Sequence, residues 1–567
     1  MQQHTGLSRR EFLATCAATC AAFSGQHAHA ADQVVEADLC IYGGTSGGVA
    51  AAVQAARMGK RVVLIEPGKH LGGMTSGGLS AVDIGDPRTV GGIAREYFTR
   101  LAAKFGRKLA FDQPLKGVPT GGAFAIEPHT AEQVFDELIR NADVPVLRGE
   151  PLKAVKKVGA RIVELVTQSG AVFRAKMFID ATYEGDLMAQ AGVSCTVNRE
   201  ANSKYNETLN GIQLWEKPEV DWGKPGPNGR RPDGRGVWDR AIPLDPYVKP
   251  GNASSGLLPG VQAGDLGKIG EAAPGVQAYC YRLCLTTRPA NRLPIERPAG
   301  YDAARYELHA RYIAACLKAG DAVDLRWFSK FDPLPNDKFD FNTAYLGLNL
   351  PGASHAYAEA NPERRAEIVK DHENYARGLL HFLATDGRVP EKLRQQTSQF
   401  GLCKDEFPDH GGWPHQLYVR EARRMVSDLV MTEHHCRGTQ VAPHSVALAS
   451  YGIDIHEVRR IAHQGIVVRE GKLLGHHGLK GPYPVGYGAI MPKAAECENL
   501  FVTFALSASH VAFGSIRMEP VFMALSQSAA TAGCLAIDER VSVQKVSQEK
   551  LRERLLKDAQ ILEPRKG

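Results

Sequence analysis

The chain has 567 residues, of which 44% are hydrophobic and 23% charged, and these fractions are ordinary for a globular protein with a core. Its formal net charge of +6 is small for this length and indicates neither nucleic acid nor a membrane surface as a partner. At about 150 residues per domain the length allows three or four domains, although large enzymes often have two.

Residues 1–30 are predicted to be a twin-arginine export signal. Arg9 and Arg10 in "SRREFLA" precede a mildly apolar stretch, and "AHA" at 28–30 has the small-x-small pattern of a cleavage site. The twin-arginine export machinery moves folded proteins, so the mature protein is expected to be periplasmic or secreted. A chance arginine pair is one alternative. A lipoprotein attached at Cys16 is a weaker one, because Thr15 precedes the cysteine. We expect no membrane span in the mature chain, since no later stretch has about 18 uninterrupted apolar residues.

The sequence contains eleven cysteines, two of which, Cys16 and Cys20, lie in the signal segment. The others are scattered without the paired spacing of a zinc site. We therefore expect buried thiols, which behave as small core residues. A disulfide in an exported protein remains open, and the sequence does not assign one.

The first predicted unit of the mature chain is a βαβ motif. "ADLCIYGG" (37–44) is a short apolar run that ends in glycines, as in a buried parallel strand. "VAAAVQAARMG" (49–59) has helical spacing, and "KRVVLIEP" (60–67) is a second buried strand. An antiparallel meander follows over 144–180, and the Gly-, Pro- and Asn-rich residues 200–300 indicate long loops.

Later in the chain, short strands and turns are predicted for 445–490 and a strand for "NLFVTFAL" (499–506). Further helical patterns occur at 91–107, 129–141, 303–320, 362–386, 414–436, 519–539 and 547–562.

The loop between the first strand and the first helix has the composition of a phosphate-binding turn. It consists of Gly43, Gly44, Thr45, Ser46, Gly47 and Gly48. In the dinucleotide-binding pattern the glycines allow a tight turn and close backbone approach, and the helix start offers free N–H groups. Thr45 replaces the usual middle glycine. Glu66 follows 18 residues after Gly48, where an acid would accept from a ribose hydroxyl. The alternative is a glycine-rich turn in an ordinary α/β fold.

Four further motifs complete a resemblance to a known family. They are "GGMTSGGL" (72–79), "FIDATYEGDL" (178–187), "YVREARRM" (418–425) and "SASHVAFGSIRMEPVFMALSQSAATA" (507–532). With the glycine loop, they resemble the FAD-dependent oxidoreductase family of bacterial exported proteins, which has a glutathione-reductase-like FAD fold. The resemblance covers most of the mature chain. Thr45 is usual in that family, whereas Ser526 stands where glycine is expected.

The resemblance implies an α/β protein that binds FAD. Its Rossmann-like FAD-binding domain, of the ββα type, is expected to be interrupted by a mixed α+β substrate domain. The implied parts are 36–200 and 491–540 for the FAD-binding domain, 201–490 for the substrate or cap domain, and 541–567 for a C-terminal helix.

The same resemblance implies which residues contact the cofactor. The glycine-rich motifs would bind FAD through backbone N–H groups. The start of the helix at 519–539 would point its positive dipole end at the flavin. Asp186 either holds a cofactor hydroxyl or caps the helix that follows it. The expected cofactor-binding residues are Gly43, Gly44, Thr45, Ser46, Gly47, Gly48, Glu66, Pro67, Gly72, Gly73, Met74, Thr75, Ala181, Thr182, Asp186, Ser515, Ile516, Glu519 and Pro520.

Three residues are the predicted catalytic groups, because hydride removal from a hydroxyl-bearing carbon needs a base near the hydroxyl proton. His510 and His456 are the two candidate bases, and Arg517 is predicted to orient a substrate oxygen or stabilise the reduced flavin. "YVREARRM" is predicted to be one helix, whose Tyr418, Arg420 and Arg423 either belong to the site or form ion pairs with Glu421. No metal is predicted at "EHHC" (433–436) or at His476 and His477, because adjacent histidines cannot both face one site on a helix.

The sequence therefore predicts an exported FAD enzyme that takes a hydride from a polar small molecule, such as a carbohydrate or another hydroxyl-bearing compound. One alternative is a flavin-containing lyase or isomerase without net redox chemistry. Another is an FAD-binding protein that serves in electron transfer. The electron acceptor, which could be oxygen, a quinone or a cytochrome, stays open, as does a covalent link to the flavin.

Overall fold

The structure is a computed structural model that describes residues 34–112, 124–214, 237–475 and 478–564. The predicted export signal, the pair His476 and His477, and part of the predicted loops between 200 and 300 lie outside these ranges.

The described residues form short strands and helices of the α/β class. The strands are β1 (Val34–Tyr42), β2 (Val62–Glu66), β3 (Val146–Arg148), β4 (Leu152–Val158), β5 (Arg161–Thr167), β6 (Val172–Asp180), β7 (Cys195–Thr196), β8 (Tyr247–Lys249), β9 (Asn252–Leu257), β10 (Leu283–Thr286), β11 (Arg292–Leu293), β12 (Phe331–Leu334), β13 (Lys338–Phe341), β14 (Gly401–Cys403), β15 (Arg424–Met425), β16 (Ser445–Ala449), β17 (Ile453–Ile455), β18 (Arg459–His463), β19 (Ile466–Glu470), β20 (Leu473–Gly475), β21 (Tyr483–Gly486) and β22 (Leu500–Val502). The helices are α1 (Ser46–Arg57), α2 (Gly92–Lys104), α3 (Pro128–Asn141), α4 (Asp186–Gln190), α5 (Asn202–Tyr205), α6 (Glu307–Lys318), α7 (Pro362–Thr385), α8 (Glu391–Ser398), α9 (Glu433–Cys436), α10 (His510–Ile516), α11 (Glu519–Glu539) and α12 (Gln548–Lys557).

The largest sheet has seven strands in the order β3-β2-β1-β6-β5-β4, with β22 added to β6. The strands β1, β2, β3 and β6 run parallel, and β22 extends this parallel part. The predicted meander is present, because β4, β5 and the start of β6 pair antiparallel. The two ends of the chain therefore share one sheet.

Alternation along β1 explains why this sheet is buried on both faces. Leu39 and Ile41 face the larger hydrophobic core, whereas Cys40 and Tyr42 face a smaller core on the other side. Since successive side chains of a strand point to opposite faces, a continuous apolar run is expected for such a strand. On the larger core α1 packs against α11.

A second sheet lies in the middle of the chain. It has five antiparallel strands in the order β11-β14-β10-β13-β12. The helices α6, α7 and α8 and several two-stranded ladders make up the rest of this region. A mixed α+β composition was predicted here.

One predicted helix is wrong. Residues 414–436 are extended apart from the short helix α9, so "YVREARRM" is not helical. Its backbone pairs with other segments instead: the N–H of Tyr418 donates to Cys280 O at 2.9 Å, and that of Met425 donates to Ala505 O at 2.8 Å. Tertiary pairing of a buried segment overrides its local helix propensity. The other seven predicted helices are confirmed, with ends that differ by a few residues.

Ser526 is accommodated without loss of close packing. It is buried in α11, and its hydroxyl donates to Thr503 Oγ1 at 2.8 Å. A Cβ on Gly47 would lie 2.4 Å from that hydroxyl oxygen. The absence of a side chain at Gly47 therefore leaves room for the hydroxyl group of Ser526.

The helix α11 is long and apolar enough to cross a membrane by length and composition. In the fold it is a buried helix that packs against α1 and against the strands β6 and β16. A core helix passes the same compositional test, and this one has the burial of a core helix.

Of the nine cysteines in the described residues, eight are buried, as predicted, and Cys195 is exposed. None of the nine forms a disulfide in the structure. The closest approach recorded between two sulfur atoms is 3.9 Å, between Cys284 on β10 and Cys403 on β14.

We expect Gly48→Ala to prevent stable folding, because its Cβ would lie 1.8 Å from the carbonyl oxygen of Gly43 and backbone cannot move away cheaply. The control is Gly59→Ala at the other end of α1. Gly59 has φ +79° with no atom within 4 Å of a built Cβ, so the cost there is only backbone strain, about 1–2 kcal/mol. Thermal unfolding followed by circular dichroism measures both. Equal unfolding temperatures for the two variants would contradict this account of the loop.

Candidate cofactor site and active site

The loop from β1 to α1 leaves backbone donors unpaired at the start of the helix. Thr45 is the N-cap: its Oγ1 accepts from the N–H of Gly48 at 3.2 Å and donates to Ala181 O at 2.8 Å. Its hydroxyl is therefore engaged within the protein. Among the described residues, no acceptor bonds the backbone N–H of Ser46 or Gly47. These are the donors that a helix start offers to a phosphate.

Glu66 ends β2 beside this loop. Its Oε2 accepts from the N–H of Gly44 at 2.6 Å and its Oε1 from the N–H of Gly68 at 2.5 Å. Burial raises the pKa of Glu66 to about 7, although the two N–H groups favour its charged form. The acid thus stands at the end of the second strand, where the sequence predicted a ribose acceptor.

A second buried carboxylate, Glu519, joins three segments at the start of α11. Its Oε2 accepts from Ser46 Oγ at 2.5 Å and from Thr75 Oγ1 at 2.9 Å. Its Oε1 accepts from Tyr183 OH at 2.7 Å, and that phenol accepts from the N–H of Met74 at 2.8 Å. Burial raises the pKa of Glu519. A carboxylate only accepts, so this one suits hydroxyl donors such as those of a ribityl chain.

These three features fit the FAD expected from the sequence. The free N–H groups of Ser46 and Gly47 match the pyrophosphate, Glu66 matches the ribose and Glu519 matches the ribityl hydroxyls. The remaining residues of the predicted set at this junction are Gly43, Gly44, Thr45, Gly48, Pro67, Gly72, Gly73, Met74, Thr75, Ala181 and Pro520.

Four members of the predicted set have other contacts. Thr182 donates to Asp180 Oδ1, and Ser515 donates to Tyr451 O. Ile516 is buried at the end of α10. Asp186 pairs with Arg365 at 2.6 Å and Arg423 at 2.8 Å. The alternative role of Asp186 as a helix cap is wrong, because Gly185 holds the N-cap position of α4 and the carboxylate of Asp180 accepts from the N–H of Met188 in its first turn at 2.8 Å.

A narrow cleft is lined by Glu519, which accepts from the Ser46 hydroxyl. The aromatic residues Tyr183, Phe504 and Phe522 and the extended "YVRE" segment, Tyr418 to Glu421, also line it. Its other lining residues are Leu79, Asp83, Phe513, Arg517 and Met518.

Next to the cleft is a polar cavity of about 230 Å³. Asp83, Tyr418 and Arg420 line both spaces, so the cavity and the cleft meet at these three residues. The other residues that line the cavity are Asp239, Arg282, Lys330, Asn342, Thr343, Ala344, Tyr451, Asp454, His456, Lys472 and Leu474.

Of the predicted catalytic residues, His456 lines the cavity and Arg517 lines the cleft. Asp454 links them: its Oδ2 lies 3.1 Å from Arg517 Nη2 and 3.6 Å from His456 Nε2. Arg517 also donates to Tyr418 OH at 3.2 Å. Burial and the charge of Arg420 lower the pKa of His456 to about 4, so its ring is neutral at pH 7.

The protonation pattern of His456 follows from Asn349. The amide nitrogen of Asn349 lies 2.9 Å from His456 Nδ1 and 3.2 Å from a carboxylate oxygen of Glu457, which can only accept. That nitrogen is therefore the donor to both, so Nδ1 of His456 accepts and Nε2 carries the proton.

His510 lies outside the lining of both spaces. Its Nδ1 donates to Glu421 at 2.8 Å, and Glu421 also pairs with Arg424 at 2.9 Å. Although burial opposes ionisation, the charges of His510 and Arg424 hold the pKa of Glu421 at about 2. The pair fixes α10 against the "YVRE" segment, which is a positioning role.

The sequence did not identify Asp83 or Arg282, because neither belongs to a recognisable motif. It named Tyr418 and Arg420 but placed them on a helix, with an ion pair to Glu421 as the alternative. In the structure Arg424 and His510 pair with Glu421, and Arg420 does not.

No group of three or more histidine, cysteine or acidic side chains suited to a metal occurs in the described ranges. The "EHHC" segment is the helix α9, where Glu433 pairs with Arg437 and His435 forms a capping box with Thr432. Glu433 and His435 thus have structural roles.

Comparison with known proteins identifies the family to which this chain belongs. The sequence model of one family, described as FAD dependent oxidoreductase, matches residues 38–555. A search of proteins with curated function finds no match.

Among solved structures, similarity extends to THI4 from Thermovibrio ammonificans, with 22% identity over 36% of this chain and 81% of that one and a TM-score of 0.23. A flavin-containing monooxygenase from Stenotrophomonas maltophilia is 17% identical over 32% and 48% of the two chains, with a TM-score of 0.19. The bacillithiol disulfide reductase Bdr from Staphylococcus aureus is 17% identical over 26% and 38%, with a TM-score of 0.18. This chain thus spans less than half the length of the last two, and such TM-scores support no inference about it.

We expect FAD affinity to rise as pH rises through about 7, because ribose hydroxyls donate to the ionised form of Glu66. If FAD binding lowers the pKa of Glu66 by one unit, the affinity for FAD is roughly tenfold higher well above that pKa than well below it. Glu66→Gln cannot ionise, so its affinity should be weaker and independent of pH in this range. Fluorescence titration of FAD into apoprotein measures this, with the exposed Glu549→Gln as control. The same pH slope in Glu66→Gln would show that another group causes it.

Proposed function

The chain belongs to the FAD-dependent oxidoreductase family, and from that membership we propose that it oxidises a small hydroxyl-bearing molecule held in the polar cavity. The proposal rests on one observation: the cavity and the cleft are both lined by Asp83, Tyr418 and Arg420. Nearly every side chain that lines the cavity is polar or charged, which suits a small polar substrate better than an apolar one.

When bound, FAD supplies a two-electron acceptor for a hydride from carbon. The protein must then hold the substrate and accept the proton of its hydroxyl group. We assign both roles to side chains at the boundary between the cleft and the cavity.

Asp83 is the proposed proton acceptor. It lines both spaces and accepts from Tyr451 OH at 2.9 Å. Burial raises the pKa of Asp83, which makes its carboxylate a better base than an exposed aspartate. It forms no salt bridge with any described residue, although the charges of Lys330 and Arg282 favour its ionised form.

His456 is proposed to donate rather than to accept. Its Nδ1 lone pair is occupied by Asn349, and its Nε2 carries the proton. A neutral imidazole in this state can hold a substrate oxygen but has no free lone pair for a proton. The prediction of His456 as a base is thus replaced by a role in orientation.

Arg517 and Tyr418 are proposed to hold the boundary in place. Arg517 links Asp454 to the phenol of Tyr418, which packs on the guanidinium of Arg420 at 4.5 Å. The Tyr418 ring is thereby fixed where the cleft opens into the cavity.

We expect Asp83→Asn to slow flavin bleaching by substrate roughly 10²- to 10⁴-fold, because the proton acceptor is lost. In the wild type the rate should rise with pH through the raised pKa of Asp83 and then level off, since only the ionised form accepts a proton. The variant should show no such rise. Anaerobic stopped-flow absorbance with sugars, polyols and hydroxy acids measures the rates.

The exposed Asp265→Asn is the matched control for that experiment and should bleach at the wild-type rate. FAD content measured after acid precipitation separates loss of cofactor from loss of the base. Full activity with an unchanged pH profile in Asp83→Asn would rule out this base. Turnover without any bleaching would favour a lyase or isomerase.

The protein is proposed to work in the periplasm or outside the cell, on the strength of the twin-arginine pattern at Arg9 and Arg10. Replacing both arginines by lysine should leave the full-length precursor in the cytoplasm, because the export machinery reads the arginine pair. Immunoblots of cell fractions measure this, with Arg61→Lys as a control outside the signal. Export of the double variant at the wild-type level would contradict the proposal.

A further inference from the structure

Three of the four lysine and arginine side chains that line the polar cavity form salt bridges. Each pairs with a specific carboxylate: Arg282 with Asp340, Lys330 with Asp332 at 3.1 Å, and Lys472 with Asp239. One cation that lines the cavity, Arg420, differs from these.

Arg420 is buried but has no acidic partner. Its side chain is 2% exposed and forms no salt bridge within the described residues. Its Nη1 donates to Ala278 O at 2.5 Å and its Nη2 contacts Cys280 Sγ at 3.2 Å, while its Nε has no acceptor. A guanidinium has five N–H groups, so three of them are unused.

Two acids close to Arg420 form their salt bridges with other groups. Glu421, the next residue, binds His510 and Arg424, and Asp454 binds Arg517. A buried cation without a partner is costly, and it is usually matched by an anion that binds there. The ring of Tyr418 under the guanidinium, 4.5 Å away, fixes its orientation but does not cancel its charge.

We infer that Arg420 binds a carboxylate of the substrate, which makes the substrate a small hydroxy acid. This inference rests on the proposed function, since it adds an anionic group to the hydroxyl compound proposed above. Arg420 and Asp83 line the same cavity, so one molecule can place its carboxylate on the first and its hydroxyl near the second.

The chemistry favours a carboxylate over a phosphate ester. A carboxylate carries one negative charge and matches the planar fork of one guanidinium. A phosphate ester carries close to two charges at neutral pH, and the other cations that line the cavity are already paired. The volume of about 230 Å³ also favours a small molecule.

The first test uses the FAD-loaded wild-type protein and needs no substitution. Simple alkanoates without a hydroxyl, from acetate to hexanoate, are titrated by isothermal calorimetry beside their primary amides. The carboxylates should bind at least roughly 30-fold more tightly than the amides, because only they pair with Arg420. Amides that bind as tightly as carboxylates would overturn the inference.

The second test uses two substitutions at the same position. Arg420→Gln should lose at least roughly 30-fold in alkanoate affinity, whereas Arg420→Lys should lose less, because it keeps the charge but not the fork. The exposed Arg288→Gln is the control and should bind like the wild type. If Arg420→Gln does not fold, Arg420→Lys and the comparison of acids with amides still decide the question.

Anaerobic bleaching separates this inference from the proposed function. If neutral polyols bleach the flavin as fast as hydroxy acids, and Arg420→Gln leaves their rates unchanged, the oxidation stands and the carboxylate site is wrong. If no compound bleaches the flavin but alkanoates bind through Arg420, the anion site stands and the proposed oxidation fails.

Discussion

The carboxylate of Glu519 is the interaction on which the candidate site depends. It accepts hydrogen bonds from the hydroxyl groups of Ser46, Thr75 and Tyr183, which belong to three segments far from Glu519 in sequence. A buried carboxylate is stable only when donors surround it, so these contacts hold the glycine loop, the second glycine-rich motif and the end of β6 against α11. Because α11 and β22 come from the end of the chain, the intervening residues must return to the first sheet. The middle region is thereby brought over the cleft.

The same rule governs the substrate side. Buried charges there are paired one by one, through Asp454 with Arg517 and through Glu421 with Arg424 and His510. These pairs keep the extended "YVRE" segment in place, and that segment carries Tyr418 and Arg420 to the meeting point of cleft and cavity. A buried residue whose charge has no partner is therefore informative, because such residues often lie where a ligand binds.

Local patterns in the sequence predicted the cofactor half well. The βαβ unit, the meander, α11 and the positions of Glu66 and the glycine loop follow from apolar periodicity and turn residues, which act over short distances. The substrate half was less predictable. "YVREARRM" has helical spacing but is held extended by pairing with Cys280 and Ala505, which lie far away in the chain. Asp83 belongs to no motif, and its proposed role follows only from the cavity that it lines together with residues between 237 and 475.

The central claim is that substrate in the polar cavity meets the flavin at Asp83, Tyr418 and Arg420. A crystal structure of the protein with bound FAD tests it most directly. We predict that the isoalloxazine ring lies in the cleft between Phe504 and Tyr418, with one face open to the cavity. A ring bound elsewhere, or one separated from the cavity by protein side chains, would contradict the account.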